Sequence, residues 1–214
     1  MRRALLFAAL LGCQGAQPPR IDRAPRVRLL ALGDSFTIGT GSSPSEAFPA
    51  RLAERYRAMG CDVELRNVAV NGYSTRDVID LELAEIERFH PTMITFAAGA
   101  NDLVRGVTGD AYRNNVATIL AAAVGAAPKV IALPQPRWTR TPTGGTFGVD
   151  ESKVIAFDDV LREEAERAHA RYVDLTTLML AQVTKGMIAS DGLHPSAAAH
   201  EEWAAVLATQ IQCK

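Results

Sequence analysis

Cysteine is scarce, long apolar runs are missing, and neither sign of charge dominates. Three cysteines in 214 residues are too few for a small domain built on disulfides. No apolar stretch reaches the roughly 20 residues that a membrane-spanning helix needs. With 23 basic and 24 acidic side chains, the chain lacks the positive balance that holds nucleic acid by phosphate neutralisation. It has no Gly-x-x-x-x-Gly-Lys-Ser/Thr loop for nucleotide phosphates, no His/Cys cluster with zinc spacing, and neither internal repeat nor heptad pattern. No cofactor and no metal are expected, and nothing calls for more than a monomer. What remains is a chain that is 48% hydrophobic, too apolar for disorder and long enough to close one core.

The first dozen residues differ from the rest. Met1-Arg2-Arg3 leads into an apolar stretch, Ala4 to Leu11, that ends at Gly12-Cys13. A positive start, a short apolar core and a small residue at the boundary read as an export signal over residues 1–12. Leu10-Leu11-Gly12-Cys13 resembles the lipobox of bacterial lipoproteins, which implies lipidation of Cys13 and anchoring at a membrane surface, periplasmic or cell-surface. Residues 13–26, rich in Pro, Gln and Arg, read as a tether, and 27–214 as one domain. Cys61 and Cys213 then remain. Export implies an oxidising compartment in which the two can pair; the alternative for Cys61 is a buried small hydrophobe.

Beyond the tether, apolar runs alternate with amphipathic stretches. Strands are expected at Val27–Leu32, Val63–Val70, Met93–Ala98, Lys129–Leu133 and Arg171–Leu175. Helices are expected over 46–59, 75–89, 110–124, 151–169 and 196–211. Gly60 closes the first helix, Ser74 or Thr75 caps the second, and Pro91 stops it. This alternation predicts an α/β protein, a five-stranded parallel sheet covered by helices on both faces. In such sheets ligands bind at the carboxyl ends of the strands, so the residues just after each strand carry the chemistry.

Those residues are unusual. The first strand is followed by Gly33-Asp34-Ser35-Phe36, the second by Asn71-Gly72-Tyr73 and the third by Gly99-Ala100-Asn101-Asp102. Asp191-Gly192-Leu193-His194-Pro195 precedes the last helix. Singly, each reads as a turn or a cap. Together they supply what acyl transfer needs. A serine hydroxyl is a weak nucleophile until a base takes its proton, and the base needs a third group to fix its tautomer. Asp191 and His194, three residues apart in a turn, suit that pairing and leave Nε2 free to face Ser35. The backbone N–H groups of Ser35 and Gly72 and the Asn101 amide are candidate oxyanion donors. Asp34 and Asp102 are expected to brace their loops by bonding nearby backbone. His90 precedes a proline at a helix end, His169 sits in a helix's last turn and His200 lies inside the closing helix, and none of them is expected to be catalytic.

These four blocks, in this order, resemble those of the SGNH hydrolases, also called the GDSL esterase/lipase family, and they span nearly all of the domain. The resemblance implies Ser35 as nucleophile, His194 as base, Asp191 as its partner, and Ser35, Gly72 and Asn101 as the oxyanion hole. It also implies a flavodoxin-like three-layer α/β/α sandwich. Phe36 departs from the family's eponymous leucine.

The substrate is less legible. Pro134–Asp150 is a long segment without a regular pattern, of the kind that is usually functional or disordered. Trp138 and Phe147 are candidate walls of an acyl or sugar pocket, and Arg137 or Arg140 candidates for an anionic head group. Ile38, Tyr73, Leu103 and Leu193, beside the blocks, are further candidate walls. The leading expectation is hydrolysis of short- to medium-chain carboxylic esters or thioesters, lysophospholipids included. Removal of O-acetyl groups from a polysaccharide is the nearest alternative, and a non-catalytic binding module on the same scaffold is one of another class.

Overall fold

The computed structural model describes residues 26–213. The expected signal, the Cys13 lipidation position and the tether up to residue 25 lie outside these residues. Arg26 already belongs to the first strand, where it pairs with Asp62.

Five strands, β1 (Arg26–Gly33), β2 (Asp62–Asn67), β3 (Met93–Ala97), β4 (Lys129–Ala132) and β5 (Arg171–Tyr172), form one parallel sheet. Their order is β2-β1-β3-β4-β5. The chain leaves β1 for one side, then crosses back to β3 on the other. A crevice therefore opens at the carboxyl ends of β1 and β3, the reversal point where open α/β sheets bind ligands.

Strand alternation sorts the core into two layers. Leu30 and Leu32 of β1 and Ile94 and Phe96 of β3 face α4 (Ala84–Phe89), α6 (Gly109–Ala126) and α7 (Glu151–Arg167). Leu29, Met93 and Ile131 face α2 (Phe48–Ala58), α8 (Thr176–Thr184) and α9 (Ala197–Gln210) on the other side. Three short helices, α1 (Ser35–Ile38), α3 (Thr75–Asp77) and α5 (Ala100–Val104), follow strand ends or their loops.

Cys61, just after α2, is disulfide-bonded to Cys213, just after α9. The bond ties together two helices that already pack on each other, and the Tyr56 hydroxyl donates to the Ile211 carbonyl beside it. Closing a span of 152 residues constrains the unfolded chain strongly, worth about 2–5 kcal/mol.

Several expected elements are redrawn. The helix over 75–89 is broken by a π turn at Val78–Glu82. The extra residue in that turn swings Glu82 inward, where its carboxyl accepts the Gly33 N–H. Ser74 caps the front half with a reciprocal box to Asp77. The strand expected over 171–175 ends at Tyr172, because Asp174 turns to accept the Thr176 N–H and start α8. The second strand ends at Asn67, whose side chain bonds the Thr37 carbonyl and the Ala69 N–H. Residues 134–150 are not structureless: they contain two 3-10 turns, Trp138–Arg140 and Gly144–Phe147.

Candidate active site

Ser35 is the first residue of α1, at the end of β1, and is nearly buried. The preceding Asp34 caps that turn, its carboxylate accepting the Phe36 N–H at 3.0 Å. Asp34 is itself fully enclosed, and burial raises its pKa to about 7 against the pull of that hydrogen bond. Its part here is to shape the elbow that presents Ser35.

Asp191 and His194 share a turn before α9. Nδ1 of His194 lies 2.6 Å from one carboxylate oxygen of Asp191. The other oxygen accepts the backbone N–H groups of Leu193 (2.9 Å) and His194 (3.0 Å). Burial pushes the Asp191 pKa up, but these hydrogen bonds outweigh it and hold the carboxyl below its ordinary range. An ionised carboxylate only accepts, so it fixes the proton on Nδ1 and leaves Nε2 as the basic nitrogen. The imidazole is enclosed, with the Phe36 ring 5.3 Å away, centroid to centroid. Among the described residues no hydrogen bond joins Ser35 to that imidazole; Phe36, next to Ser35, bridges the two.

The remaining blocks converge on the same edge. Asn101, in α5 after β3, donates one amide hydrogen to the Tyr73 carbonyl at 2.9 Å, which leaves its second for a ligand. Gly72 has φ = 85°, and a side chain added there would meet nothing within 4 Å. The backbone conformation, rather than crowding by the protein, is what calls for glycine. Asp102 braces this loop by accepting the Thr75 N–H and hydroxyl.

Two positioning residues carry no sign of that role in the sequence. Arg105 donates to the Gly72 carbonyl (2.8 Å) and to Asp77 (2.7 Å), tying the Gly72 loop to α5. Thr143 donates its hydroxyl to the Asp191 carbonyl (2.7 Å) and its N–H to the Gly192 carbonyl (2.9 Å). The loop over 134–150 is therefore fastened to the turn that carries His194. Neither contact has a local signature, because each spans tens of residues.

Of the candidate pocket walls, Trp138, Phe147 and Leu193 line a cavity of about 70 Å³ together with Ser35, Asn101 and Val104. Ile38, Tyr73 and Leu103 do not line it. Leu103 instead borders a separate groove of about 410 Å³ against α7, Tyr73 contributes its carbonyl to Asn101, and Ile38 ends α1. Arg137 and Arg140 are not free for an anionic group. Arg137 is buried against Asp158 at 2.7 Å, and Arg140 pairs with Glu151. His200 is wholly buried between Phe48 and Trp203, and burial lowers its pKa to about 4. Among the described residues no cluster of three or more His, Cys, Asp or Glu side chains is placed to hold a metal ion. None of the helices there is long and apolar enough to cross a membrane.

A five-stranded parallel sheet sheathed in helices on both faces makes this an α/β protein, with a hydroxyl, an imidazole–carboxylate pair and an amide at the carboxyl ends of its strands. The chain belongs to the GDSL-like lipase/acylhydrolase family, whose pattern matches residues 31–202, and is a carboxylic-ester hydrolase. It is 26% identical over 199 residues to Esterase TesA of Pseudomonas aeruginosa, covering 92% of each chain. Its fold matches a lipase/acylhydrolase from Enterococcus faecalis with a TM-score of 0.73 at 23% identity, over 86% of this chain and 95% of that one. It also matches Axe2, an acetylxylan esterase from Geobacillus stearothermophilus, with a TM-score of 0.73 at 17% identity, over 90% and 97%.

Proposed function

We propose that this chain hydrolyses carboxylic or thio-esters of short- to medium-chain acyl groups, lysophospholipids among them, with Ser35 as nucleophile, His194 as base and Asp191 as its orienting partner. The observation that carries this reading is the Asp191–His194 pair, 2.6 Å apart, on the sheet edge that also holds Ser35 and Asn101. Nε2 takes the Ser35 proton as Oγ attacks the acyl carbon. The negative charge that develops on the carbonyl oxygen is met by the N–H groups of Ser35 and Gly72 and the free amide hydrogen of Asn101. Collapse breaks the bond to the leaving oxygen or sulfur, which receives the proton back from His194. Water, deprotonated by the same nitrogen, then releases the acyl group from Ser35.

The small cavity beside Ser35 favours a second reading, removal of acetyl groups from a polysaccharide. A binding module without catalysis is disfavoured by the intact Ser35, Asn101, Asp191 and His194 set. The enzyme is further proposed to be exported, held at a bacterial membrane surface through a lipid on Cys13, and monomeric. The Cys61–Cys213 bond supports export, since disulfides persist in oxidising compartments.

Hydrolysis of p-nitrophenyl acetate and butyrate tests the mechanism. Ser35→Ala is expected to lose about 1,000-fold or more in kcat, and undiminished activity overturns the assignment. Acetylated xylan assayed beside a series of acyl chain lengths separates the two ester readings.

A further inference from the structure

Trp138 stands between two spaces. On one side is the cavity of about 70 Å³ that reaches Ser35 and Asn101. On the other is a smaller space of about 10 Å³, walled by Met179, Val183, Met187 and Ile188. Trp138 and Leu193 line both, so together they form the partition. Trp138 is 1% exposed, and its indole N–H donates to the Gln135 side chain at 3.2 Å. Its backbone carbonyl accepts the Thr141 hydroxyl at 2.7 Å, and Phe147 meets it edge-on at 6.1 Å. The ring is thus fixed in place as a wall.

A space of about 70 Å³ on the Ser35 side holds only a few heavy atoms, since one water already needs about 10–15 Å³ of such space and takes about 30 Å³ in the liquid. That is the size of an acetyl to butyryl group. The space beyond the indole is apolar. Its one amide side chain, Gln182, is already bonded to Trp203 and Glu202, so an alkyl chain entering there would strip no polar group of its partner.

We propose that Trp138 sets the acyl-length limit of this enzyme. It closes the acyl pocket at about four carbons, and its removal joins that pocket to the apolar space behind it. The proposal rests on the Ser35 esterase reading and deepens it to short-chain acyl esters.

The experiment measures kcat/KM for p-nitrophenyl acetate, butyrate, hexanoate and octanoate with the native enzyme, Trp138→Ala and Trp138→Phe. Each is referred to a Ser35→Ala blank. Each methylene gained by an apolar pocket is worth about tenfold or more. Seating one or two further methylenes of octanoate is therefore expected to raise the octanoate-to-acetate ratio by about 10- to 100-fold in Trp138→Ala, and by less in Trp138→Phe. If Trp138→Ala does not fold, Trp138→Phe and Trp138→Met carry the comparison by the same ratio. A ratio unchanged in the folded variants, with Ser35-dependent activity intact, overturns the proposal. So does a shift seen only when the alcohol is lengthened in a series of alkyl acetates, for then the cavity holds the leaving group. Activity that survives Ser35→Ala overturns the underlying esterase reading instead.

Discussion

Asp191 is held from two directions. Its carboxylate accepts from the imidazole and from two backbone N–H groups, while its own carbonyl accepts the Thr143 hydroxyl. The first set fixes the carboxylate relative to His194. The second fixes the whole turn relative to the loop that carries Trp138. Thr143→Val keeps the shape and removes the hydroxyl donor. A hydrogen bond of this kind is worth about 1 kcal/mol, so kcat is expected to fall about fivefold, with KM for a short ester little changed. Thr143→Ser restores the donor and should restore the rate. A serine variant as slow as the valine one would show that the methyl group matters rather than the bond.

At the scale of elements, residues 134–150 are held at their start and in their middle. Arg137 and Asp158 pair in the interior, with Asp158 also accepting the Gln135 N–H, and Thr143 fastens the middle. Burial raises the Asp158 pKa to about 6 against the effect of these partners. Gly144 is required here by contact. A Cβ at that position would lie 1.8 Å from the Trp138 carbonyl oxygen, which the backbone alone would have to relieve. Gly144→Ala is expected to cost about 1–3 kcal/mol and to displace the indole. The readout is a lower Tm with a changed Trp fluorescence spectrum, since only two tryptophans, Trp138 and Trp203, contribute. An unaltered spectrum and Tm would show that the turn tolerates the methyl group. The sequence disclosed the strands and long helices because each carries its own period, and the four blocks because each sits at a strand or helix end. It concealed this loop because its order comes from Asp158, Asp191 and Gly192, far along the chain. It concealed the π turn because the Gly33 N–H that Glu82 accepts there lies 49 residues away in sequence, and α8 because Thr176–Thr184 is short and weakly patterned.

Across the whole molecule, buried ionisable groups pull stability in opposite directions with pH. His200 is held neutral by burial, with a folded pKa of about 4 below its unfolded value of about 6.5. The unfolded chain binds that proton more readily, so stability is lost as pH falls from 6.5 toward 4. Asp34 and Glu82 act the other way. Burial raises Asp34 to about 7 and Glu82 to about 8, and the two carboxyls repel each other when ionised. The folded state keeps their protons, so their contribution is full below the unfolded carboxyl range and is lost as pH rises through the folded values. Glu82→Gln isolates one of these groups, because an amide imitates the protonated acid, can still accept from Gly33, and does not titrate. Urea unfolding of the native protein and E82Q between pH 5 and 8 is the measurement. The His200 contribution is common to both and cancels in the difference. That difference is expected to move in favour of E82Q by roughly 1.4 kcal/mol per pH unit. A difference that stays flat over this range would mean that Glu82 ionises in the folded protein as readily as in the unfolded chain, with water or a cation reaching the carboxyl beneath Gly33.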